Sequence, residues 1–402
     1  MKKKFVRMIC LVLAVMLVCF TVVSCGSNQT SGGGGGGGSQ PAGGGGGGGG
    51  SQPAGGGGGG GGGDAAPSDK VYHIDAAFAA GESTTRSWAG ILKEMEERSG
   101  GRLQSTIHLA GSLLTFPEIP RGMQSGVAQW AYLPTVNYVD IFPLSCRIMQ
   151  LPFMGLEDPI VACEIFMQLF DEFPEMAQEY EPFNMIPIAA SPLWGYFLHL
   201  IDDSKEVRVP SDLAGKTIVP YKTELIPMLS KYNAAGSYIP PGQMYESLER
   251  SVIDGYVNCW AFAQWFVLHE FLKQHVLIGE NGMFQEFFVY VVAKDFYESL
   301  PADLQQLWFD VFRNQPIENF NNEPGYVYMW RETESFTNWQ MQFAKDNNHL
   351  IVQLTPDEIQ IWKDELADVH EVAIAEINAQ RKDEVATAIY NRALELIAQK
   401  KG

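Results

Sequence analysis

The sequence has little positive charge, with 28 Lys and Arg residues against 47 Asp and Glu residues and a formal net charge of −19. A nucleic-acid-binding protein requires a basic face, so this balance argues against nucleic acid as a partner. Beyond the N-terminus no apolar run reaches the roughly 18–20 residues that cross a bilayer, which argues against a polytopic membrane protein. The length of 402 residues fits a globular protein of about two domains.

The sequence also lacks the common motifs of hydrolytic and phosphate chemistry. It contains no H-E-x-x-H, no G-x-S-x-G and no G-x-x-x-x-G-K-[ST]. His269 and His275 are six positions apart, a spacing that would place them on different faces of a helix. We therefore expect a binding protein rather than an enzyme. We expect no cofactor, and we assign no residue as a metal ligand.

The N-terminus has the three parts of an export signal. A cationic start precedes Met8–Val23, which is almost wholly apolar, and Ser24 then precedes Cys25. A basic segment followed by an apolar one predicts a secretory signal, and the small residue before the cysteine resembles a bacterial lipobox. We predict a signal peptide over 1–24 and lipidation of Cys25; an ordinary signal peptide and an N-terminal anchor helix are the alternatives.

Residues 25–69 are predicted to be a flexible tether. Three runs of pure glycine, separated by Ser-Gln-Pro-Ala, fill most of this segment. Glycine loses the most conformational entropy on ordering, and nothing here offers apolar surface to bury. A lipid at one end of such a leash would hold a soluble module near a membrane.

Three cysteines remain after the signal peptide and Cys25: Cys146, Cys163 and Cys259. No C-x-x-C spacing occurs, so a metal or redox motif is not indicated. A disulfide between Cys146 and Cys163 and buried free thiols are both left open.

From about residue 71 the hydrophobic pattern alternates between strand and helix periods. Val71–Phe78 and Leu103–Leu109 have the pattern of strands, and the segment between them has a helical stripe that Gly100-Gly101 ends. The stripe consists of Trp88, Ile91, Leu92 and Met95. Strand, helix and strand with short links predict a parallel βαβ unit.

A second half repeats this pattern. Strands are predicted at Lys216–Pro220, Ser237–Ile239, Tyr256–Asn258 and Glu286–Val292. A helix is predicted at Gln243–Ile253. The face of that helix is predicted from Tyr245, Leu248 and Val252. Two α/β sheets side by side place a ligand at the carboxyl ends of their strands. An exported, tethered, two-lobed protein is typical of a solute receptor.

Five short segments, in this order, resemble TRAP-type solute-binding proteins, which serve tripartite ATP-independent transporters. They are Met95–Leu103 with Ala110–Leu113, Leu151-Pro152-Phe153, Pro210–Lys216, Pro240–Gly255 and Leu300–Gln305. The resemblance implies an α/β, periplasmic-binding-protein-like fold with an interlobe cleft and a long C-terminal helix spanning both lobes. It places lobe I at 70–196 and 284–323 and lobe II at 197–283 and 324–400.

The sequence departs from the family at its carboxylate clamp. In the family an arginine usually follows D-L-x-G-x-x-I, where its planar fork pairs with a substrate carboxylate; here that position is Val219. A second family arginine aligns near His199, and the family's asparagine aligns with Asn258. Either the solute is neutral or another cation supplies the clamp. The candidates are Arg86, Arg121, Arg147, Lys222 and His199.

Aromatic side chains are predicted to take the space of the missing arginine, because their faces bind apolar rings, sugars and ammonium groups. Core packing is the alternative for each of them, and an interlobe ion pair is the alternative for Arg147. The candidate ligand-binding residues are Trp194, His199, Val219, Tyr221, Asn258, Trp260, Arg147 and Phe284.

The sequence thus predicts an extracytoplasmic receptor, anchored to the cell membrane through its N-terminal lipid. It would capture a small organic solute and deliver it to the membrane subunits of a TRAP-type permease. A surface lipoprotein hydrolase or lyase on the same scaffold is one alternative. A ligand-sensing subunit of a membrane signalling system is another.

Overall fold

The computed structural model describes residues 70–79, 86–193, 195–279 and 281–401. The predicted signal peptide, Cys25, the tether and Trp194 lie outside these residues. Within the described ranges, none of the helices combines the length and the apolar character that a bilayer crossing requires.

Eleven strands occur in the described residues. They are β1 Tyr72–Ala77, β2 Leu103–His108, β3 Trp130–Pro134, β4 Met185–Leu193, β5 Phe197–Leu200, β6 Thr217–Val219, β7 Ala235–Gly236, β8 Gly255–Asn258, β9 Gln274–Leu277, β10 Glu286–Ala293 and β11 Leu350–Gln353.

Fourteen α-helices occur in the same ranges. They are α1 Arg86–Arg98, α2 Ile119–Gln124, α3 Pro143–Cys146, α4 Pro159–Glu172, α5 Pro174–Gln178, α6 Ile226–Lys231, α7 Met244–Glu249, α8 Trp260–Trp265, α9 Lys294–Ser299, α10 Ala302–Phe309, α11 Gly325–Asp346, α12 Pro356–Glu365, α13 Val369–Arg381 and α14 Val385–Lys401.

The first sheet has the strand order β2-β1-β3-β10-β4. β1 pairs in parallel with β2, from Tyr72 opposite Leu103 to Ala77 opposite His108. The four apolar residues of the predicted helical stripe are all buried on α1. The predicted βαβ unit is therefore confirmed, and it forms one side of the first lobe.

The second sheet has the order β11-β9-β5-β8-β6-β7. Each sheet contains one strand that runs against its neighbours: β10 is antiparallel to β3 and β4, and β5 is antiparallel to β8 and β9. Both are the strands that enter from the other sheet. The chain therefore passes from one sheet to the other after β4 and again after β9. We call the links between β4 and β5 and between β9 and β10 the first and second crossing segments. The predicted two-lobed α/β fold is confirmed.

α11 is the long helix that spans both lobes. Near its start, Glu332 accepts a hydrogen bond from the backbone N–H of Ser87 in the first lobe, at 3.1 Å. One turn further on, the ring of Phe336 lies 6.3 Å from that of Trp265 in the second lobe. Its 22 residues thus contact both lobes, as the sequence predicted for a long C-terminal helix.

The last helices continue from the second lobe back to the first. On α12, Trp362 donates from Nε1 to the carbonyl of Arg208, at 2.9 Å. On α14, Arg392 forms an ion pair with Glu172 of α4, with Nε 2.7 Å from Oε2. The exact lobe boundaries given above remain a prediction.

Two sequence predictions were wrong in detail. α7 ends at Glu249, its buried residues are Met244 and Leu248, and Val252 is 59% exposed beyond it. The buried face is formed by Met244 and Leu248, an i, i+4 pair, and not by Tyr245. Tyr245 is 36% exposed at the surface. The short strand expected at Ser237–Ile239 lies two residues earlier, as β7.

Candidate ligand-binding site

The two crossing segments lie against each other between the sheets. The N–H of Tyr196 donates to the carbonyl of Phe284 at 3.0 Å, and that of Met283 donates to the carbonyl of Tyr196 at 2.9 Å. Gly282 has a φ of +71°, and a Cβ there would lie 2.4 Å from the carbonyl oxygen of Tyr196. Only glycine fits this close backbone approach, which fixes how the lobes are joined.

Lys222 places a buried ammonium at this junction. Lys222 comes three residues after the end of β6 in the second lobe, and it is 4% exposed. The Nζ donates to Oε1 of Gln150 in the first lobe. It also lies 5.2 Å from the ring centre of Tyr196 and 5.9 Å from that of Phe284. Burial lowers the pKa of Lys222 to about 7, because desolvation disfavours the charged form.

Tyr221 holds an unusual backbone conformation directly before Lys222. Its φ is +50°, a region that costs a residue with a Cβ about 1 kcal/mol or more. Its hydroxyl donates to the carbonyl of Ile239 at 3.0 Å, and its ring meets that of Phe262 edge to face at 5.2 Å. These contacts hold the strained turn that directs Lys222 into the lobe junction.

Glu286 is the first residue of β10 in the first lobe, and this end of β10 lies beside the end of β3. It is 2% exposed, and its Oε1 accepts the N–H of Val136 at 3.1 Å. Burial raises the pKa of Glu286 to about 8, so this carboxyl is mostly protonated near neutral pH. The two buried ionisable groups on opposite lobes are thus both shifted toward their neutral forms.

A row of three histidines lies behind the end of β8. His199 Nε2 is 3.2 Å from the carbonyl oxygen of Asn258, and His199 Nδ1 is 2.8 Å from His275 Nδ1. His275 Nε2 is in turn 3.0 Å from His349 Nδ1. The ring of Trp260 lies 4.4 Å from that of His275. Burial lowers the pKa of His199 to about 3 and that of His275 well below its usual value.

Arg147 has carboxylate partners already. Its Nη2 lies 2.8 Å from Glu376, and its Nε lies 3.5 Å from Glu224. Glu224 follows β6 in the second lobe, whereas Arg147 belongs to the first. The interlobe ion pair considered for this arginine is therefore present.

The structure divides the predicted ligand-binding residues into two groups. Tyr221 and Phe284 lie at the lobe junction with Lys222, while His199, Asn258 and Trp260 form the second cluster with His275. Val219 is fully buried in β6, opposite Tyr256 of β8. Ligand contact by these residues stays a prediction.

Sequence reasoning did not find every residue of the junction. It named Lys222 as one of several cations, and it missed Gln150 and Glu286. Glu286 carried a usable signal, because a single carboxylate opens an otherwise apolar strand. Gln150 carried none, since its partner is 72 residues away in sequence.

Two cavities bear on the location of the site. One of about 320 Å³ borders the second crossing segment, and its lining includes Phe284, Gln285, and Leu151 and Phe153 of the L-P-F segment. A larger cleft of about 890 Å³ lies between α13 and α14. It includes no strand end, so we place the ligand site at the lobe junction.

Other features of the described residues limit the chemistry. In the part of the chain that the structure describes, no three or more His, Cys, Asp or Glu side chains are grouped so that they could hold a metal ion. Cys146, Cys163 and Cys259 are buried free thiols, so the disulfide that the sequence left open is not formed.

Comparison with known proteins places these features in context. A family described as bacterial extracellular solute-binding protein, family 7, matches residues 78–376. No curated protein was found to match the chain in sequence.

Solved structures share the fold at low sequence identity. A TRAP solute-binding protein from Rhodoferax ferrireducens T118, in complex with copurified benzoate, is 19% identical with a TM-score of 0.68, covering 82% of this chain and 98% of that one. DctP7, a Bordetella pertussis extracytoplasmic solute receptor binding pyroglutamic acid, is 16% identical with a TM-score of 0.63, covering 82% and 100%. A TRAP periplasmic solute-binding protein from Pseudomonas putida F1 with bound D-glucuronate is 18% identical with a TM-score of 0.61, covering 79% and 96%.

Proposed function

Because the chain belongs to family 7 of the bacterial extracellular solute-binding proteins, we propose that it captures a small organic solute between its lobes and delivers it to a TRAP-type permease. The observation that carries this proposal is the lobe junction itself. There Lys222 of the second lobe contacts Gln150 of the first, beside rings from both crossing segments. A solute bound at such a point can hold the lobes together.

A receptor function fits the side chains better than catalysis does. At the junction, the nearest thiol is that of Cys146, and burial raises its pKa far from the range of a nucleophile. Glu286 and Lys222 lie on opposite lobes, and no contact between them is formed. Solutes named for the structural relatives, benzoate, pyroglutamic acid and D-glucuronate, are all carboxylic acids, which supports a small organic acid as the solute.

The test is recovery of the solute. Mass spectrometry of small molecules released from natively purified protein should identify a bound compound. Adding that compound to emptied protein should raise the melting temperature as its concentration increases. The compound should be recovered unchanged; its conversion to a product would favour the hydrolase or lyase alternative, and an absence of any stabilising solute would contradict the receptor function.

We further propose that Cys25 anchors the receptor to the outer face of a membrane through lipid. The support is the position of this cysteine at the end of the apolar segment and the glycine-rich tether that follows. A Cys25→Ser variant should move from the membrane fraction to the soluble fraction after export. Retention of this variant in the membrane would instead favour an N-terminal anchor helix.

A further inference from the structure

We propose that the ammonium of Lys222 is the clamp for a single carboxylate on a solute with an apolar or aromatic body. This inference rests on the receptor function proposed above and names the residue that determines its specificity. Lys222 would replace an arginine that the sequence lacks at Val219, the last residue of β6, three residues before Lys222. The clamp is thus moved along the chain instead of being lost.

The first support is the incomplete coordination of Lys222. An ammonium has three N–H donors, and the hydrogen bond to Gln150 is its one polar contact among the described residues. Lys222 forms no ion pair among the described residues, and Glu224, the carboxylate whose charge acts on it, is instead within ion-pair distance of Arg147. A buried cation with unused donors carries a large desolvation cost, which an incoming anion offsets.

The second support is the backbone of the turn. Tyr221 keeps its left-handed conformation although it is neither glycine nor asparagine. Strain of this kind persists where the surroundings hold it and clusters at ligand-binding positions. Relaxing Tyr221 would change the direction in which the chain presents Lys222 at the lobe junction.

The third support is the balance of charge around the ammonium. The titratable groups that face it are Cys146 from α3, Tyr196 from the first crossing segment, and Glu224 from its own turn, the last already paired with Arg147. The thiol of Cys146 stays neutral because burial raises its pKa. The charge of Glu224 raises the pKa of Lys222, but the two groups form no ion pair. Among the described residues, no carboxylate therefore occupies the position beside the ammonium that a solute carboxylate would take.

The rings beside the ammonium select the rest of the solute. Tyr196 and Phe284 lie 5.2 and 5.9 Å from Nζ and present apolar surface next to the charge. A lysine is a compact point charge and lacks the fork that fixes a carboxylate in one plane. We therefore expect the apolar walls, more than the clamp, to orient the solute.

Binding through this lysine has a signature that an arginine clamp would not give. With a pKa of about 7, the free amine is half protonated near pH 7 and mostly neutral near pH 8. Binding of a carboxylate favours the charged form, so the complex takes up a fraction of a proton that increases from pH 7 to pH 8.

The experiment measures benzoate binding by titration calorimetry in two buffers that differ in ionisation enthalpy, with benzamide as the neutral probe. Wild-type protein should bind benzoate with proton uptake that grows from pH 7 to pH 8, and should bind benzamide at least about 30-fold more weakly. Pyroglutamate and D-glucuronate serve as further carboxylate probes.

Three variants separate the clamp from a general effect on folding. Lys222→Met should reduce benzoate affinity at least about 30-fold, and Lys222→Arg should retain binding while abolishing the proton uptake. Lys231→Met removes an exposed lysine that pairs with Glu365 and should leave both quantities unchanged.

Two outcomes would overturn the proposal. One is unchanged benzoate affinity in a folded Lys222→Met protein. The other is failure of all three carboxylates to bind wild-type protein from which a neutral solute is recovered. Either result would leave the receptor function standing, whereas that function fails if no solute of any kind binds or if the recovered solute is converted to a product.

Discussion

His199 and His275 share a hydrogen bond between their Nδ1 atoms, at 2.8 Å, in the middle of the second sheet. The carbonyl of Asn258 can only accept, so His199 donates to it from Nε2. A neutral His199 then accepts at Nδ1 from His275, and His275 accepts at Nε2 from His349. One carbonyl thus sets the direction of both hydrogen bonds between the rings, and His199 and His275 must stay neutral because each accepts at one ring nitrogen.

This row of histidines should make the protein sensitive to acid. Burial lowers the pKa of His199 to about 3 and that of His275 far below its usual value, whereas an unfolded histidine titrates near about 6.5. Below that pH the unfolded chain binds protons that the folded chain does not. The free energy of unfolding should therefore fall with decreasing pH, by up to about 1.4 kcal/mol per pH unit for each of the two residues.

Urea unfolding between about pH 7.5 and about pH 5.5 measures this slope. A His275→Gln variant should be less stable at neutral pH but should show a flatter dependence. His73→Gln changes an exposed histidine on β1 and should keep the wild-type slope. Equal slopes in wild type and His275→Gln would show that the buried row does not titrate as inferred.

Glu286 should make the free energy of unfolding depend on pH in the opposite direction, so that stability falls as pH rises. Burial raises its pKa to about 8, and an unfolded glutamate titrates near about 4.3. Between these values the folded chain keeps a proton that the unfolded chain releases, so the free energy of unfolding falls as pH rises. Glu286→Gln keeps an oxygen for the N–H of Val136 and removes the titration, so the variant should be more stable than wild type near pH 8.

The measurement is the difference in unfolding free energy between this variant and wild type at several pH values. The difference should grow from about pH 5 to about pH 8. Glu298→Gln, on the exposed side of α9, is the matched control and should show no such growth. A constant difference for Glu286→Gln would mean that the carboxyl is already ionised at low pH.

Much of the fold followed from local sequence. The stripe of Trp88, Ile91, Leu92 and Met95 needed only a 3.6-residue period, and all four are buried on α1. The apolar run of β10 was equally visible, with all eight residues buried. The strand β7 was misplaced because a two-residue strand has no period to detect.

The candidate site followed from sequence only in part. Tyr221 and Phe284 were predicted because aromatic residues stand out near strand ends. The burial of Lys222 was not visible, since it depends on Gln150, Tyr196 and Phe284 from three separate segments. The histidine row joins residues 76 and 74 positions apart, and no local pattern encodes such a pairing.

The close approach of the two crossing segments should make Gly282 intolerant of substitution. An alanine Cβ would lie 2.4 Å from the carbonyl oxygen of Tyr196, at a φ of +71°. The left-handed conformation alone costs alanine about 1 kcal/mol, and the backbone clash adds to it. We expect Gly282→Ala to lower the free energy of unfolding by about 2 kcal/mol or more, measured by urea unfolding.

Gly100→Ala separates the two contributions. Gly100 has a similar φ of +66°, and nothing lies within 4 Å of its Cβ position, so it reports the conformational cost alone. Gly282→Ala should be the more damaging by at least about 1 kcal/mol. Equal losses in the two variants would show that the crossing segments can separate without penalty.

Lys222 should reduce the stability of the solute-free protein, even though it is proposed to bind the solute. Its burial lowers the pKa to about 7, so near or below that pH the folded chain carries a desolvated charge. Lys222→Met fills nearly the same volume without charge and leaves one oxygen of Gln150 unpartnered. Replacement of buried charge by apolar side chains stabilises proteins by about 1–4 kcal/mol in comparable cases, and the lost hydrogen bond costs about 1–2 kcal/mol.

We therefore expect Lys222→Met to have a higher free energy of unfolding than wild type when no solute is bound, by up to about 3 kcal/mol near pH 7. From pH 7 toward the unfolded lysine value of about 10.4, the unfolded chain keeps a proton that folded wild type has lost. Wild-type stability should rise over this range, and the advantage of the variant should shrink accordingly. Lys231→Met, at an exposed lysine, should show neither effect. A less stable Lys222→Met protein at every pH would mean that the ammonium already has its full complement of partners in the folded chain.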